Sequence, residues 1–151
     1  MKWIWFQIDD TNDPDQNLLC SPISVFEITK ICQILKRKKA PGPDGIPYEF
    51  LRFGPPSLFL ALATLFNASF QTGFLPSAWK DVTLHMLPKE NTDLSNPSSY
   101  RPIALYSTIA KLMERILTRR LTIFLENKKL IPPDQAAFRK SRSTPDQKPW
   151  P

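Results

Sequence analysis

A chain of 151 residues, 42% hydrophobic, has enough apolar material for one domain with a real core and is too short for a second full one. Its 20 Lys+Arg against 14 Asp+Glu give a net charge of +6 and a pI near 9.5, which favours polyanionic partners. Cys20, Cys32 and the lone His85 make no recognisable zinc set, and no stretch approaches a membrane span. The apolar start ends at Asp9 and Asp10, short of the ~7–15 residues a signal-peptide core needs, so a nuclear or cytoplasmic protein in a reducing compartment is expected rather than a secreted or membrane one.

Residues 1–20 run from aromatic to acidic without a period, and Asn12-Asp13-Pro14 argues for loop, so no fold is assigned there. Asp9, Asp10, Asp13 and Asp15 face only Lys2 in charge, which leaves the rest of the chain more basic than the total. Ser24-Val25-Phe26-Glu27 has capping-box spacing, and Ile28, Ile31, Cys32 and Leu35 share a stripe, which predicts a helix over about 24–38. Lys36, Arg37, Lys38 and Lys39 would close it against the negative end of its dipole, and Pro41-Gly42-Pro43-Asp44-Gly45 would end it in a fixed turn. Pro55 and Pro56 open a second helix that stops around Gly73, with Leu58, Leu62, Leu65, Phe66 and Phe70 expected on its inner side. The alternation of Val82, Leu84 and Met86 with Thr83, His85 and Leu87 predicts a strand ending at Pro88. A turn-rich loop over 90–99 and a short extended piece over Ile103–Leu105 follow.

The longest helix is predicted from Ser107 or Thr108 to about Glu126. Ile109, Met113, Ile116, Leu117, Leu121 and Phe124 would face inward, and Lys111, Glu114, Arg115 and Arg119 outward. Beyond Pro132-Pro133 the chain is polar and basic through Arg139, Lys140 and Arg142, and 148–151 carries no element signal. The fold class expected is α+β and helix-rich.

Taken alone, the Pro-Asp-Gly turn and the basic run at 36–39 name no function. Read in order, however, the strings Lys39-Ala40-Pro41-Gly42-Pro43-Asp44-Gly45-Ile46-Pro47, Leu75-Pro76-Ser77-Ala78-Trp79-Lys80, Leu87-Pro88-Lys89, Ser99 to Leu105 with Lys111 and Glu114, and Gln135 to Arg139 with Arg142-Ser143-Thr144 and Asp146 form a collinear set. This set resembles LINE-like, non-LTR retrotransposon reverse transcriptases over roughly residues 24–147, and several weak strings in one order make chance improbable.

The resemblance implies the fingers portion of a right-hand polymerase fold with an incomplete palm: residues 1–20 unassigned, 21–147 a partial reverse transcriptase domain, 148–151 a tail. It places Arg101, and secondarily Lys89, against the nucleotide triphosphate, a role suited to a guanidinium fork and a mobile ammonium. Gln135, Phe138 and Arg139 match the family's template-side Q-x-G-F-R element, with Ala137 where Gly is expected, which puts the loop's conformation in doubt. With Lys36, Arg37, Lys38, Lys39 and Arg142, these make the expected nucleic-acid-binding set.

No catalytic and no metal-binding residue is expected in this chain, and no cofactor. The complete family enzyme holds Mg²⁺ with palm carboxylates downstream of the last matched string, and the Asp9-Asp10 pair lies on the wrong side of every fingers motif. Enzyme activity by the chain alone is therefore in doubt. The expectation is a truncated RNA-directed DNA polymerase with residual affinity for an RNA or DNA template. The alternatives are a basic binding module without catalysis, whose protein partner covers an exposed palm-facing surface, and a non-functional remnant.

Overall fold

The computed structural model describes residues 14–137, 139 and 141–143. Asp9, Asp10, Phe138, Lys140 and the segment 144–151 lie outside the described residues. The chain divides into two compact units, one made of residues 22–117 and the other of the residues before and after them.

The larger unit starts where the capping signal placed it. The Ser24 hydroxyl accepts from the Glu27 N–H at 3.1 Å and opens α2, Val25–Gln33, which buries Ile28, Ile31 and Cys32. The helix ends five residues before the expected 38. The amides of Ile34 and Leu35 tighten onto the carbonyls of Ile31 and Cys32, Leu35 turns into the core, and Lys38 takes a left-handed φ of 55° that no α-helix accommodates. Lys36, Arg37, Lys38 and Lys39 thus stand on an irregular loop beyond the helix rather than in its last turn. A short helix that five residues are too few to announce, α3 (Tyr48–Arg52), buries Leu51, and the Arg52 guanidinium donates to the Leu35 carbonyl at 2.8 Å.

Helix α4, Pro56–Thr72, begins with Pro at its first turn and stops at left-handed Gly73, as predicted. Its inner face differs from the expected one. Phe59, Leu62, Ala63 and Phe66 are buried, whereas Leu65 and Phe70 are 37% and 36% exposed. The helix contains no charged residue, so apolar side chains lie all round it and periodicity alone does not choose a face. Asn67 helps choose it: its amide exchanges two hydrogen bonds with the backbone of Ile23, at 2.6 and 2.9 Å, and turns that side toward the segment that leads into α2. Trp79, in the 3₁₀ turn Ser77–Trp79, meets the Phe66 ring edge-on at 6.0 Å.

Strands β1 (Val82–Pro88) and β2 (Tyr100–Tyr106) form an antiparallel pair from Val82↔Tyr106 to Pro88↔Tyr100. β2 is longer than the Ile103–Leu105 piece expected, because every residue of β1 finds a partner and a two-stranded sheet tolerates Pro102. The alternation in β1 does not mark a buried face, since all seven of its residues are exposed. The 90–99 loop is ordered by its own side chains: Asp93 accepts from the amide and hydroxyl of Ser95, and Asn96 from the Ser98 amide.

Helix α5, Thr108–Asn127, contributes residues 108–117 to the larger unit, where Leu112, Met113 and Ile116 are buried. In the smaller unit Leu121, expected inward, is 49% exposed, and Arg120 is buried instead, its guanidinium donating to the Ser21 carbonyl. That carbonyl follows α1, Pro14–Cys20, a helix where none was expected, with Pro at its first position. Among the described residues no helix is long and apolar enough to cross a membrane.

The observed faces of α4 give a direct test. Phe66→Ala should lose about 3–5 kcal/mol of stability in chemical denaturation, and Phe70→Ala less than half of that. Equal losses would mean that the helix presents the face expected from the sequence.

Candidate nucleic-acid interface

The turn at 41–45 organises the larger unit's cationic surface. Its hydrogen bond runs from the Gly45 N–H to the Gly42 carbonyl at 3.0 Å, with Pro43 at the second position and Gly45 at φ 64°. Gly42 lies against the Tyr106 carbonyl, where a Cβ would collide with backbone. Asp44 Oδ2 accepts from the Ser107 hydroxyl and the Thr108 amide, each at 2.8 Å, and Oδ1 accepts from Ile46 N–H at 3.2 Å. An aspartate more than sixty residues away in sequence thereby caps α5.

This junction brings the 34–40 loop, β2 and α5 around a cleft of about 500 Å³. Lys36, Lys39, Lys111 and Arg115 line it together with Tyr48, and Ile34, Ile103 and Leu105 supply apolar surface. None of its described lining residues is acidic. Two of the cations rest on rings: the Lys111 ammonium is 4.9 Å from the Tyr106 ring centre and the Arg115 guanidinium 5.6 Å from that of Tyr48.

Carboxylates close in sequence are engaged elsewhere. Glu49 accepts from the Lys38 N–H at 2.7 Å, a bond that holds its pKa below the usual carboxylate range. Glu114 accepts the hydroxyl of Tyr106. Burial first, and then that bond and the carboxylate's charge, push the Tyr106 hydroxyl up to about 12.

The sequence-predicted residues fall into separate groups. Of the basic run, Lys36 and Lys39 line the cleft, Arg37 lies over the exposed Phe53 ring at 5.8 Å, and Lys38 is held by its backbone to Glu49. Arg101 is exposed on β2 opposite Leu87, and the Lys89 amide continues the ladder to the Ser99 carbonyl at 2.8 Å. Strand alternation puts Lys89, Arg101, Ile103 and Leu105 on one hairpin face. The Lys89 ammonium, however, donates to Ser98 O at 2.7 Å in its own turn.

In the smaller unit, Arg139 forms a two-pronged pair with Glu126, at 2.9 and 2.7 Å, and also donates to the carbonyls of Pro132 and Gln135. Its donors are occupied by the protein itself. Gln135 and Arg142 are exposed, and Phe138 lies outside the described residues. The pair, through hydrogen bonds first and charge second, keeps Glu126 below the usual carboxylate range.

Sequence reasoning missed Tyr48, Asp44, Lys111 and Arg115 as parts of the site. The spacing of Lys111 and Arg115 by one helical turn marked a shared face, which was read only as a solvated one. Among the described residues no group of three or more His, Cys, Asp and Glu is placed to hold a metal ion.

Fold and site together define a helix-rich α+β module with a cationic cleft and a hairpin that exposes Arg101. Comparison with known proteins supplies its kinship. The chain is 35% identical over 141 residues to a Drosophila melanogaster protein named "Probable RNA-directed DNA polymerase from transposon BS", covering 93% of this chain and 16% of that protein. It is 33% identical over 131 residues to the RNA-directed DNA polymerase from mobile element jockey of the same fly, covering 87% and 14%. A similar protein from Drosophila funebris is 31% identical over 130 residues, covering 86% and 14%. No family model matches the chain. The chain belongs, over the segment it covers, to the non-LTR retrotransposon reverse transcriptases, and it spans about one-seventh of the length of these relatives.

The Tyr106–Glu114 contact has a measurable signature. Absorbance titration against Tyr106→Phe should show one tyrosine ionising near pH 12, and Glu114→Gln should bring it down without restoring 10, since burial remains. Because the folded value is raised, the stabilisation is complete below pH 10 and is lost as pH rises through about 12. A Tyr106 that titrates at 10 in the wild type would remove the contact.

Proposed function

We propose that this chain is the fingers portion, with some leading palm, of a right-hand RNA-directed DNA polymerase, and that it holds template and nucleotide phosphate without supplying the catalytic metal site. The observation that carries this reading is the hairpin. It presents Arg101 exposed at its outer end, on the same face as Lys89, within the Ser99–Leu105 string that resembles the family's. The antiparallel ladder sets the backbone from which Arg101 projects, and a guanidinium fork suits phosphate oxygens. The relatives named as RNA-directed DNA polymerases support a nucleic-acid partner, RNA or DNA. The Mg²⁺ ions of the reaction would be held by carboxylates other than those described here. A nuclear or cytoplasmic location follows from the same reading.

One observation favours a second reading. Val82, Leu84 and Met86 are 51%, 63% and 52% exposed along one face of β1, an apolar strip that a protein partner would cover. In that reading the chain is a basic binding module without catalysis.

NMR titration with a deoxynucleoside triphosphate separates the two. Arg101→Ala should remove a contact of about 1.5–3 kcal/mol, tenfold or more in affinity, and Arg101→Lys should restore part of it. Shifts that pass over Arg101 would end the inherited nucleotide site. In primer extension with Mg²⁺ or Mn²⁺ the chain alone should give no product. Template-dependent extension abolished by Asp9→Asn or Asp10→Asn would overturn the non-catalytic assignment. Affinity for single-stranded RNA should fall steeply between low and physiological salt.

A further inference from the structure

The cleft carries an inference beyond the hairpin. Four cations from the 34–40 loop and α5 converge on one concavity with no acidic neighbour in its described lining. Gathering like charges around a concave floor costs repulsion, which an anionic ligand relieves. Asp44, Glu49 and Glu114 keep their charge nearby, engaged with the Thr108 amide, the Lys38 amide and the Tyr106 hydroxyl, but none of them lines the cleft itself. The floor is not polar. Ile34 and Ile103 are 70% and 42% exposed beside the cations, so the surface asks for a ligand anionic at one end and flat and apolar at the other.

A volume of about 500 Å³ lies within the range of small-molecule sites, the size class of a nucleotide. Lys111 and Arg115, steadied against the rings of Tyr106 and Tyr48, are partly ordered before any ligand arrives. The hairpin face that supplies Ile103 and Leu105 also carries Arg101, four residues from Leu105 and so roughly 13 Å along the strand. Cations spaced along one face suit successive phosphates better than an acidic peptide, whose charges have no fixed spacing here.

We propose that this cleft is a second nucleotide-binding subsite, separate from Arg101, that takes one unpaired nucleotide with its phosphate among Lys36, Lys39, Lys111 and Arg115 and its base against Ile34 and Ile103. This rests on the polymerase reading for the class of ligand but not on Arg101 for its contacts. The nucleotide is part of a single strand or a free nucleoside triphosphate; both present the same chemistry.

The test is fluorescence anisotropy of the full chain with a labelled dodecamer of deoxythymidine, titrated over a range of salt. The variants are the double substitution Lys111→Gln with Arg115→Gln, the single Ile34→Ser, and Arg101→Gln, each checked for native circular dichroism. The double variant should bind about tenfold or more weakly, and its salt slope should fall by about two. Ile34→Ser, at an exposed position, should weaken the oligonucleotide while leaving inorganic pyrophosphate binding by NMR unchanged. Loss in the cleft variants with none in Arg101→Gln supports the subsite and leaves Arg101 to the triphosphate titration. Loss in Arg101→Gln alone overturns the subsite and leaves the polymerase reading intact, and no loss in any variant overturns both. A duplex of the same length that binds equally well, or polyglutamate that competes equally, would reduce the cleft to a charged patch and overturn the proposal. Displacement of the strand by deoxynucleoside triphosphate, with shifts at Lys111 and Arg115, identifies the free nucleotide as the source; a strand that stays bound identifies itself.

Discussion

Asp44 Oδ2 accepts the Ser107 hydroxyl and the Thr108 amide, each at 2.8 Å, and the larger unit's surface depends on that pair of bonds. A helix N-terminus left bare exposes unsatisfied amides; here the local Ser107 hydroxyl accepts from the Ala110 amide at 3.3 Å, and the distant Asp44 carboxylate adds the Thr108 amide. The same carboxylate's other oxygen closes the turn onto Ile46. One residue therefore shapes its own loop and anchors it to the start of α5. Gly42 makes the approach possible, because only a residue without Cβ fits against the Tyr106 carbonyl. Lys36 and Lys39 precede this clasp in the chain, while Lys111 and Arg115 follow it, so the clasp decides that they face one cleft.

The two units use their carboxylates differently. In the larger unit Asp44, Glu49 and Glu114 each accept a hydrogen bond from backbone or a hydroxyl rather than pairing with a lysine or arginine. The smaller unit does the opposite with Glu126, which takes the Arg139 guanidinium in a two-pronged pair. A net charge therefore says little about binding until the partners of the acids are known. Arg139, attractive by motif, spends its donors on the protein, whereas Lys111, matched in the family strings without a role, and Arg115, in no motif, line the cleft.

The hairpin sets a different constraint. A two-stranded sheet has no second layer of its own, and β1 is exposed along its whole length while offering Val82, Leu84 and Met86 on one face. Such a strip is stable in water only at some cost, and it is the kind of surface that a neighbouring domain or partner covers. The segments compared are 14–16% of these relatives, so those polymerase proteins contain much more chain than the segment compared.

From sequence alone came the family, the α+β class, the Ser24 cap, the Pro56 start and Gly73 stop of α4, the β1 strand and the start of α5, because each is written in contiguous residues whose local energetics decide the outcome. The inner face of α4 was not legible: a helix without charges has no preferred side until Asn67 meets Ile23. Nor was the end of α2, where burial of Leu35 outweighs helix continuation and carries the basic run away from the helix dipole. Arg120 reads as a surface residue and Leu121 as core, and the Ser21 carbonyl reverses them. The cleft was the least legible, since its walls are joined by the bonds of Asp44 to residues 107 and 108 and by the approach of Gly42 to Tyr106, and local sequence holds no record of which distant amide a carboxylate will find.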